Sequence, residues 1–272
     1  MAKVIIVTGS NKGLGRAIIE KLITETPEFT SIVMTSRSES LGQQAKEEIE
    51  QKYGPQSRLV YHQLDVTDEL SIRRLTDFVY HTYGKISVFI NNAGIAFKGN
   101  DFGPHVVGPT FACNFYGLVN TTEAILPLMA DDGHIINVTS RAGKARWIPD
   151  EAIRNRFLDP NLTRDGLYHL AGDFIQSVRD GNWTEKGWPT QGYAISKNCA
   201  NAYTRILARE LRESGSRVRV NAVCPGILRT DMAGPTAPLS AEEGTITPIL
   251  MVRYQGEESG RFWYEGSIQE WD

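Results

Sequence analysis

The stretch VIIVTGSNKGLG, residues 4–15, contains the pattern that decides the fold. Four apolar residues, Val4–Val7, predict a buried strand, and an amphipathic segment over residues 14–24 predicts the helix that follows it. Between them Gly9, Gly13 and Gly15 have the spacing G-x-x-x-G-x-G. Glycines at such a turn let the backbone approach a ligand closely, and the helix N-terminus attracts a phosphate. The stretch therefore predicts a nucleotide-binding α/β domain.

Short runs rich in valine and isoleucine continue to alternate with longer amphipathic segments along the chain. Further strands are predicted at residues 31–35, 59–64, 87–90, 135–138 and 218–223, with a seventh at 262–264. These runs lack strict alternation, which is typical of a parallel sheet covered by helices on both faces. Crossovers between parallel strands are right-handed. We expect an α/β fold with a doubly wound Rossmann-type parallel sheet, in a single domain over residues 1–272.

Composition excludes several classes of protein. The 272 residues are 41% apolar and 22% charged with a net charge of −3, which is ordinary for a globular enzyme and gives no sign of a nucleic-acid-binding surface. The five histidines show no metal-ligand spacing, so no metal is expected. The three cysteines have no C-x-x-C spacing, which fits a reducing compartment. No stretch is apolar enough to cross a membrane. We expect a cytoplasmic protein with neither nucleic-acid nor membrane partners.

The end of the second predicted strand indicates which dinucleotide binds. Enzymes that use NAD commonly place an acid there for the ribose 2′-hydroxyl, whereas an arginine suits a 2′-phosphate. Here the strand is followed by Arg37, and Lys12 in the glycine turn supplies a second cation. Two cations attract a phosphate dianion that an acid would repel. We expect NADPH/NADP; the alternative is that both are solvated surface charges, with Glu39 near enough to pair with one.

Tyr193 and Lys197 lie in the segment QGYAISKN, one helical turn apart and therefore on one helix face. An isolated tyrosine and lysine at this spacing is usually a surface feature. A lysine cation about 5 Å away, at an effective dielectric of about 20, would favour the phenolate by about 3 kcal/mol. Lowering the pKa of a tyrosine from about 10 to about 7 takes roughly 4 kcal/mol. Lys197 is therefore expected to supply most of such a shift.

Further segments occur in the order found in short-chain dehydrogenases/reductases. They are NNAG at 91–94, ACNFYG around Asn114, INVTS ending at Ser140, NAVCPG at 221–226 and RTDM at 229–232. Each is weak alone, but with the glycine turn, Tyr193 and Lys197 they cover nearly the whole chain. The chain resembles this superfamily, and more closely the monomeric NADPH-dependent carbonyl reductases of animals, through TGSNKGLG, HQLDVTD, NNAGIAFK, KGWP and CPGILRTDMAGP. The resemblance implies reduction of small carbonyl compounds (quinones, aldehydes and ketones) to alcohols with NADPH.

The resemblance also implies a role for each matched residue. Tyr193 would donate the proton, Lys197 would make this possible, Ser140 would hydrogen-bond the substrate carbonyl, and Asn114 would hold a helix distortion and a proton-relaying water. Cofactor contacts would come from Gly9, Asn11, Lys12, Gly13, Leu14, Gly15, Arg37, Asp65, Val66, Asn91, Tyr193, Lys197, Pro225, Gly226, Leu228 and Thr230. Of these, Asp65 would contact the adenine amino group and Asn91 the nicotinamide ribose.

A long segment over residues 141–190 precedes the tyrosine, where most short-chain reductases have a brief connection. Its residues Leu167, Leu170, Phe174 and Val178 recur at helical spacing, so we expect a helical insertion whose apolar face packs on the domain. In the resembling enzymes this insertion covers a helix surface that oligomeric relatives use for assembly. The resemblance therefore implies a monomer.

Two positions depart from the resembling enzymes and concern the substrate. Ile227 replaces a tryptophan of the pocket wall, and Arg141 replaces an apolar residue after the serine. With Ser140, and with Phe97 from a segment that binds glutathione conjugates in those enzymes, they form the expected substrate contacts. The alternatives are a narrow-substrate NADP-dependent alcohol, steroid or prostaglandin dehydrogenase, or a non-catalytic NADPH-binding sensor. The sensor is disfavoured because it has no need of Tyr193.

Overall fold

A computed structural model describes residues 3–99 and 101–272. Within these residues eight strands form one sheet in the order β3-β2-β1-β4-β5-β6-β7-β8. Strands β1 to β7 are parallel, and β8 pairs with β7 in the antiparallel sense. Their bounds are β1 Val4–Val7, β2 Ser31–Ser36, β3 Leu59–Gln63, β4 Ile86–Asn91, β5 Met129–Val138, β6 Arg219–Cys224, β7 Phe262–Tyr264 and β8 Ser267–Gln269.

Nine α-helices cover this sheet in the described part of the chain. They are α1 Gly13–Glu25, α2 Glu39–Tyr53, α3 Glu69–Thr82, α4 Pro104–Phe111, α5 Leu118–Ile125, α6 Glu151–Leu158, α7 Arg164–Asp180, α8 Gly192–Glu213 and α9 Ile246–Arg253. A π-helical segment, Ala112–Gly117, joins α4 to α5. Helices lie on both faces, so the predicted α/β class and doubly wound sheet are confirmed.

Strand β1 shows why its sequence is a continuous apolar run. Side chains alternate between the two faces of a strand, so Val4 and Ile6 point to one face while Ile5 and Val7 point to the other. Val4 and Ile6 belong to the core cluster that includes apolar residues of α3, α5 and α8, and Ile5 and Val7 to the one that includes those of α1, α2 and α9. All four are fully buried because each face carries helices.

The strand order creates a crevice at one edge of the sheet. Strand β1 lies between β2 and β4, and the chain crosses from β3 back past β1 to reach β4. In open α/β sheets, ligands bind outside the carboxyl ends of the strands at this kind of reversal. The strands are parallel, so the segments that follow β1, β2, β3, β4, β5 and β6 all begin at this edge.

Most strand predictions agree with the structure to within one or two residues, with two differences. Strand β5 begins at Met129, six residues before the prediction, because Met129 pairs with Ile86 across an irregular register despite the polar residues that follow. Strand β8 was missed. It is only three residues long, partly exposed, and joined to β7 by a two-residue turn in which Glu265 and Gly266 both have positive φ, 49° and 71°.

The segment at 141–190 contains helices α6 and α7, of which α7 is the one that the helical spacing predicted. The four residues at that spacing, Leu167, Leu170, Phe174 and Val178, are all buried in the core cluster shared with α4, α5 and α8. No helix among residues 3–99 and 101–272 has the length and apolar character needed to cross a membrane.

Candidate active site

Helix α8 places Tyr193 and Lys197 on one face, next to the end of β5. Lys197 is 4% exposed, and its Nζ donates to the main-chain oxygen of Val138 at 2.9 Å. The same Nζ lies 5.9 Å from the centre of the Tyr193 ring. Lys197 is therefore a buried cation of the site, and the surface interpretation of the Tyr193–Lys197 pair does not hold.

Asn114 lies in the π-helical segment between α4 and α5. Its Oδ1 accepts from the main-chain N–H of Ile95 at 2.8 Å, and its Nδ2 donates to the Ile95 oxygen at 2.9 Å and to Oγ of Ser196 at 3.1 Å. A Cβ atom on Gly94 would lie 3.3 Å from Asn114 Oδ1 and 3.5 Å from Lys197 Nζ. Asn114 thus joins the segment after β4 to α8, and the expected helix distortion is present.

Ser140 follows β5 and opens a short 3-10 turn over Arg141–Gly143. Its Oγ accepts from the main-chain N–H of Ala142 at 3.1 Å. This bond uses a lone pair of the hydroxyl and leaves its proton free to be donated. The Ser140 side chain also lies beside Tyr193, where it stabilises the phenolate and opposes a rise in the pKa of Tyr193.

The pKa of Tyr193 is shifted in the direction opposite to the expectation that Lys197 lowers it. Burial, with a smaller contribution from Cys224, raises the pKa of Tyr193 to about 12 despite the opposing effect of Ser140. Burial also lowers the pKa of Lys197 to about 8. The protein groups alone therefore keep Tyr193 protonated at neutral pH, because loss of solvation outweighs the attraction of a cation at this separation.

The glycine turn requires glycine at each of its three positions. Gly9 and Gly13 have φ of +61° and +55°, which side-chain-bearing residues rarely adopt. A Cβ atom on Gly15 would lie 2.5 Å from both the Gly9 oxygen and Nδ2 of Asn92. The turn therefore packs directly on the segment after β4.

Helix α1 begins at Gly13 with features that suit a phosphate. Among the described residues no side chain caps it, and its first turn has no acidic residue. The first N–H groups of a helix need acceptors, and the helix dipole favours an anion there. Asn11 and Gly13 are partly exposed, whereas Leu14 and Gly15 are buried. The turn and helix terminus fit the diphosphate of a dinucleotide.

The two cations proposed for the 2′-phosphate have different surroundings. Arg37 is exposed directly after β2, and no ion pair involves it within the described ranges, Glu39 included. Lys12, in contrast, pairs with Asp231 at 2.8 Å, and both side chains are mostly exposed. Arg37 is thus free to meet an anion, whereas Lys12 would first have to leave Asp231.

The residues after β3 and at the end of β4 are only partly available to a ligand. Asp65 accepts from the N–H and the hydroxyl of Thr67 through Oδ1, and Val66 is buried beside it. Asn91 is 3% exposed, and its Nδ2 donates to Oγ1 of Thr122 and Oδ1 of Asn137, both at 2.8 Å. The Asn91 side chain is therefore committed to the protein interior.

The segment after β6 lies against the glycine turn. Gly226 has a φ of +88° and follows the partly exposed Pro225. A Cβ atom on Gly13 would lie 3.4 Å from the methyl carbon of Thr230, which places this segment beside the start of α1. Leu228, however, is 6% exposed and packs under the segment against Gly244. Of these four residues, Leu228 has the side chain least able to reach a cofactor.

Three of the four residues expected to contact substrate, Phe97, Arg141 and Ile227, are exposed, and Ser140 is partly exposed. Ile227 and Phe97 are 56% and 42% exposed. The guanidinium of Arg141 lies 4.0 Å from the ring centre of Tyr264, a cation–π contact that holds it on β7. Tyr264 was not predicted, because three aromatic residues near the end of the chain gave no sign of which one faces the site.

Asn92 was also missed as a residue that builds the site. Its Nδ2 donates to the main-chain oxygens of Thr8 and Gly9 at 2.9 and 3.0 Å. The Thr8 hydroxyl in turn accepts from the N–H groups of Asn92 and Ala93. The second asparagine of NNAG carried the signal, but its partner cannot be read from one sequence. In the described residues, no group of three or more His, Cys, Asp or Glu side chains is placed so that it could hold a metal ion.

Two family models match parts of this chain. Residues 3–150 match the family model described as short chain dehydrogenase. The chain belongs to the short chain dehydrogenase family. Residues 183–247 also match the model described as enoyl-(acyl carrier protein) reductase.

Relatives of this family member cover nearly its full length. Carbonyl reductase (NADPH) 1 of Mus musculus is 36% identical over 98% of each chain, and its Homo sapiens counterpart gives the same values. Salutaridine reductase from Papaver somniferum is similar in structure, with a TM-score of 0.87 and 28% identity over 97% of this chain and 99% of that one. Menthone neomenthol reductase from Mentha piperita has a TM-score of 0.82 and 26% identity over the same shares.

Proposed function

We propose that this short chain dehydrogenase uses NADPH to reduce the carbonyl group of small molecules to an alcohol. One observation carries the proposal: Asn114, Ser140, Tyr193 and Lys197 converge at the carboxyl edge of the sheet, next to the glycine turn. The similarity to curated carbonyl reductases that are named for NADPH supports both the reaction and the cofactor.

The site residues divide the work of binding and proton transfer. The Ser140 hydroxyl, which accepts from Ala142 and lies beside Tyr193, donates to the substrate carbonyl oxygen and so stabilises the negative charge that develops there. Tyr193, protonated at neutral pH, donates its proton to the same oxygen. NADPH, when bound, supplies the hydride.

Lys197 and Asn114 support this proton transfer. With its pKa lowered to about 8, Lys197 is mostly charged at neutral pH and stabilises the phenolate left on Tyr193. Asn114 keeps the helix distortion and the segment after β4 next to Lys197. Its water-relay role remains part of the proposal.

The cofactor would lie along the edge of the sheet from β2 to β6. Gly9, Asn11, Gly13 and the start of α1 would bind the diphosphate, and Arg37 would bind the 2′-phosphate. The remaining contacts are proposed at Lys12, Leu14, Gly15, Asp65, Val66, Asn91, Tyr193, Lys197, Pro225, Gly226, Leu228 and Thr230. For Asn91 and Leu228 the contact is proposed through the main chain, because both side chains are buried.

A narrow-substrate reductase is the second candidate, and two observations favour it. The two plant relatives described above are each named for particular compounds, salutaridine in one case and menthone in the other. The rim of the site also carries Ile227, an aliphatic side chain that gives a flat aromatic substrate no ring to stack on. Substrate range, and not reaction type, separates the two candidates.

We further propose that the protein is a cytoplasmic monomer with a single domain over residues 1–272. Helix α7 covers apolar surface of α4 and α8 that would otherwise be free to bury in an interface. Its buried residues, Phe174 among them, support a surface closed within one chain. Sedimentation equilibrium at several protein concentrations tests this: a constant mass near 30 kDa supports the monomer, and a doubled mass contradicts it.

The test of function measures oxidation of NADPH and of NADH with a small quinone and with an aromatic aldehyde. We expect turnover with both substrates and at least about tenfold higher kcat/KM for NADPH, since one charge-assisted contact to a phosphate contributes about 1.5–3 kcal/mol. Turnover of one narrow class of ketone, and of neither general substrate, would favour the second candidate. No turnover despite tight NADPH binding would contradict both.

A further inference from the structure

Two asparagines that follow Lys197 on α8 hold the turn that carries Ser140. Asn198 and Asn201 are 5% and 3% exposed, and the Nδ2 of each donates to the main-chain oxygen of Gly143, at 2.9 and 3.0 Å. Gly143 is the last residue of the 3-10 turn that begins after Ser140. A carbonyl oxygen has two lone pairs, so the two amides use its full capacity.

The chain is held on the other side of Ser140 as well. Lys197 Nζ donates to the oxygen of Val138, two residues before Ser140, whereas Gly143 lies three residues after it. Three side chains of α8 therefore donate hydrogen bonds to the main chain on both sides of Ser140, at Val138 and at Gly143. Because α8 also carries Tyr193, these hydrogen bonds fix the Ser140 and Tyr193 hydroxyl groups relative to each other.

Gly143 brings the turn into direct contact with the helix backbone. A Cβ atom at this position would lie 2.5 Å from the carbonyl carbon of Lys197 and 2.7 Å from the N atom of Asn198. Real Cβ atoms do not approach backbone atoms so closely, so any larger residue would move the turn away from α8. The turn therefore fits against α8 in one position, and the hydrogen bonds from the two asparagines stabilise that position.

The same amides leave two buried oxygen atoms without a partner. The Oδ1 atoms of Asn198 and Asn201 have no hydrogen-bond partner among the described residues. Exchanging Nδ2 and Oδ1 of either amide would place one acceptor oxygen against another, the Gly143 oxygen. The orientation in which Nδ2 faces Gly143 is therefore the favourable one. Buried polar atoms without partners are rare and commonly mark an ordered water.

A small cavity beside these residues has room for that water. It is lined by Gly143, Asn198, Asn201, Arg205 and Trp271, among others, and its volume is about 10 Å³. This volume is close to the minimum that admits one water molecule. One water molecule has two donor protons, which matches the number of Oδ1 atoms without a partner.

We propose that Asn198, Asn201 and one water bound between them position Ser140 for its hydrogen bond to the substrate carbonyl. The two asparagines are positioning residues: they act on Ser140 through Gly143 and touch no reacting atom. The expected effect on turnover rests on the proposed function. The hydrogen bonds that hold the turn are a property of the protein itself and can be measured separately.

The first test compares kinetics of an Asn198→Ala/Asn201→Ala variant with wild type. We expect kcat for quinone reduction to fall about 10- to 100-fold, because displacement of a catalytic group by about 1 Å has effects of this size. The dissociation constant for NADPH should stay within about twofold of wild type, since the glycine turn is untouched. Each single variant keeps one donor on Gly143, should fold, and should lose less activity than the double variant.

Two controls separate positioning from general loss of stability. Asn221→Ala removes another buried asparagine, which lies on β6 and bonds His134 of β5 and the main-chain oxygen of Glu258. It should lower the melting temperature while kcat is kept. Gly143→Ala keeps both asparagine side chains but displaces the turn from α8, so it should reproduce the kinetic defect. Gly172→Ala, at a helical glycine with nothing within 4 Å of the added atom, should not.

The second test follows hydrogen exchange of a peptide covering residues 140–145 in the same proteins. In the single and double asparagine variants, the Ala142 N–H that donates to Ser140 should exchange faster, by at least about tenfold in the double variant because both donors to the turn are lost. Asn221→Ala should leave it unchanged. Unchanged exchange in the folded variants overturns the inference whatever the turnover, and faster exchange with unchanged kcat overturns the positioning role.

Two further outcomes are decisive. A wild-type protein that reduces no carbonyl substrate contradicts the proposed function, while the exchange measurement still decides whether the asparagines hold the turn. A crystal structure that shows the two Oδ1 atoms without a bound water between them overturns the water component.

Discussion

Burial sets the charge states of the side chains that matter most in this protein. It keeps Tyr193 protonated with a pKa of about 12 and makes Lys197 easier to deprotonate, with a pKa of about 8. His134, on β5, is 2% exposed, and burial together with the nearby Arg219 lowers its pKa to about 3. The sequence places Tyr193 and Lys197 correctly, but the sign of the Tyr193 shift depends on how much protein surrounds them.

Replacing Arg37 by aspartate tests the cofactor assignment. In Arg37→Asp, the carboxylate would repel the 2′-phosphate that the guanidinium attracts, so the dissociation constant for NADPH should rise about 10- to 100-fold. Binding of NADH should change by less than about threefold, since it lacks that phosphate. Fluorescence titration with each cofactor measures both. Arg217→Asp, an exposed arginine before β6 at the opposite edge of the sheet, is the control, and equal losses for both cofactors in Arg37→Asp would contradict the assignment.

His134 predicts a loss of stability in mild acid. Its Nδ1 lies 3.1 Å from the Met251 oxygen and its Nε2 lies 3.0 Å from Nδ2 of Asn221, a pattern that the neutral ring satisfies. Below pH 6.5 the unfolded chain binds a proton that the folded protein does not, so stability falls as pH falls from about 6.5 towards 3, by up to about 1.4 kcal/mol per pH unit.

Urea unfolding at pH 7, 6 and 5 measures this contribution. In His134→Gln, which cannot take up the proton, stability should be lower at pH 7 and should depend less steeply on pH than in wild type. The exposed His81→Gln serves as the control and should keep the wild-type slope. Parallel pH profiles for His134→Gln and wild type would show that His134 is not responsible.

At the scale of elements, periodicity predicted the strands and long helices well, and local turn chemistry less well. The continuous apolar run of β1 predicts a buried strand, and the apolar residues of α7 recur at helical spacing. β8 is three residues long and depends on a turn with two residues at positive φ, only one of which is glycine. The π-helical distortion at Asn114 was expected only from the resemblance, because nothing in the composition of residues 112–117 distinguishes it from ordinary helix. Pairing between distant side chains, such as Asn201 with Gly143, has no signal in one sequence.

The join between β1 and α1 predicts a severe effect of one added methyl group. In Gly15→Ala, the new Cβ atom would lie 2.5 Å from the Gly9 oxygen, so the turn must open and the phosphate site is lost. We expect NADPH binding to weaken at least about 100-fold, together with a lower melting temperature, because backbone atoms cannot yield as a side chain can. Gly172→Ala is the matched control and should bind normally. Near wild-type binding in Gly15→Ala would contradict the described turn.

The packing of α7 on the domain predicts a large stability effect at Phe174. This side chain is fully buried and contacts the rings of Phe111 and Trp188, at centroid distances of 5.6 and 5.3 Å. Phe174→Ala should lower the free energy of unfolding by about 3–5 kcal/mol. Tyr80→Ala, at a side chain 64% exposed on α3, should change it by less than about 1 kcal/mol. Similar losses in both variants would contradict the packing of α7.

At the scale of the whole molecule, the parallel sheet gathers the site from segments far apart in the chain. Glycines after β1, Arg37 after β2, Asp65 after β3, Ser140 after β5 and Tyr193 on α8 meet at one edge because seven strands run in the same direction. The order of motifs along the sequence predicts this gathering. The substrate pocket is predicted less well, because its walls come from exposed side chains such as Ile227 and Phe97, whose directions depend on loops.

The most direct test of the central claim compares Tyr193→Phe with Tyr203→Phe in NADPH-dependent reduction of a small quinone. Both tyrosines lie on α8, but the Tyr203 hydroxyl bonds Glu123 away from the site. We predict that Tyr193→Phe lowers kcat by about 10²- to 10⁴-fold, as expected for loss of a general acid, while the dissociation constant for NADPH is unchanged. Tyr203→Phe should lose stability and keep kcat. Wild-type kcat in Tyr193→Phe, or equal losses in the two variants, would contradict the account.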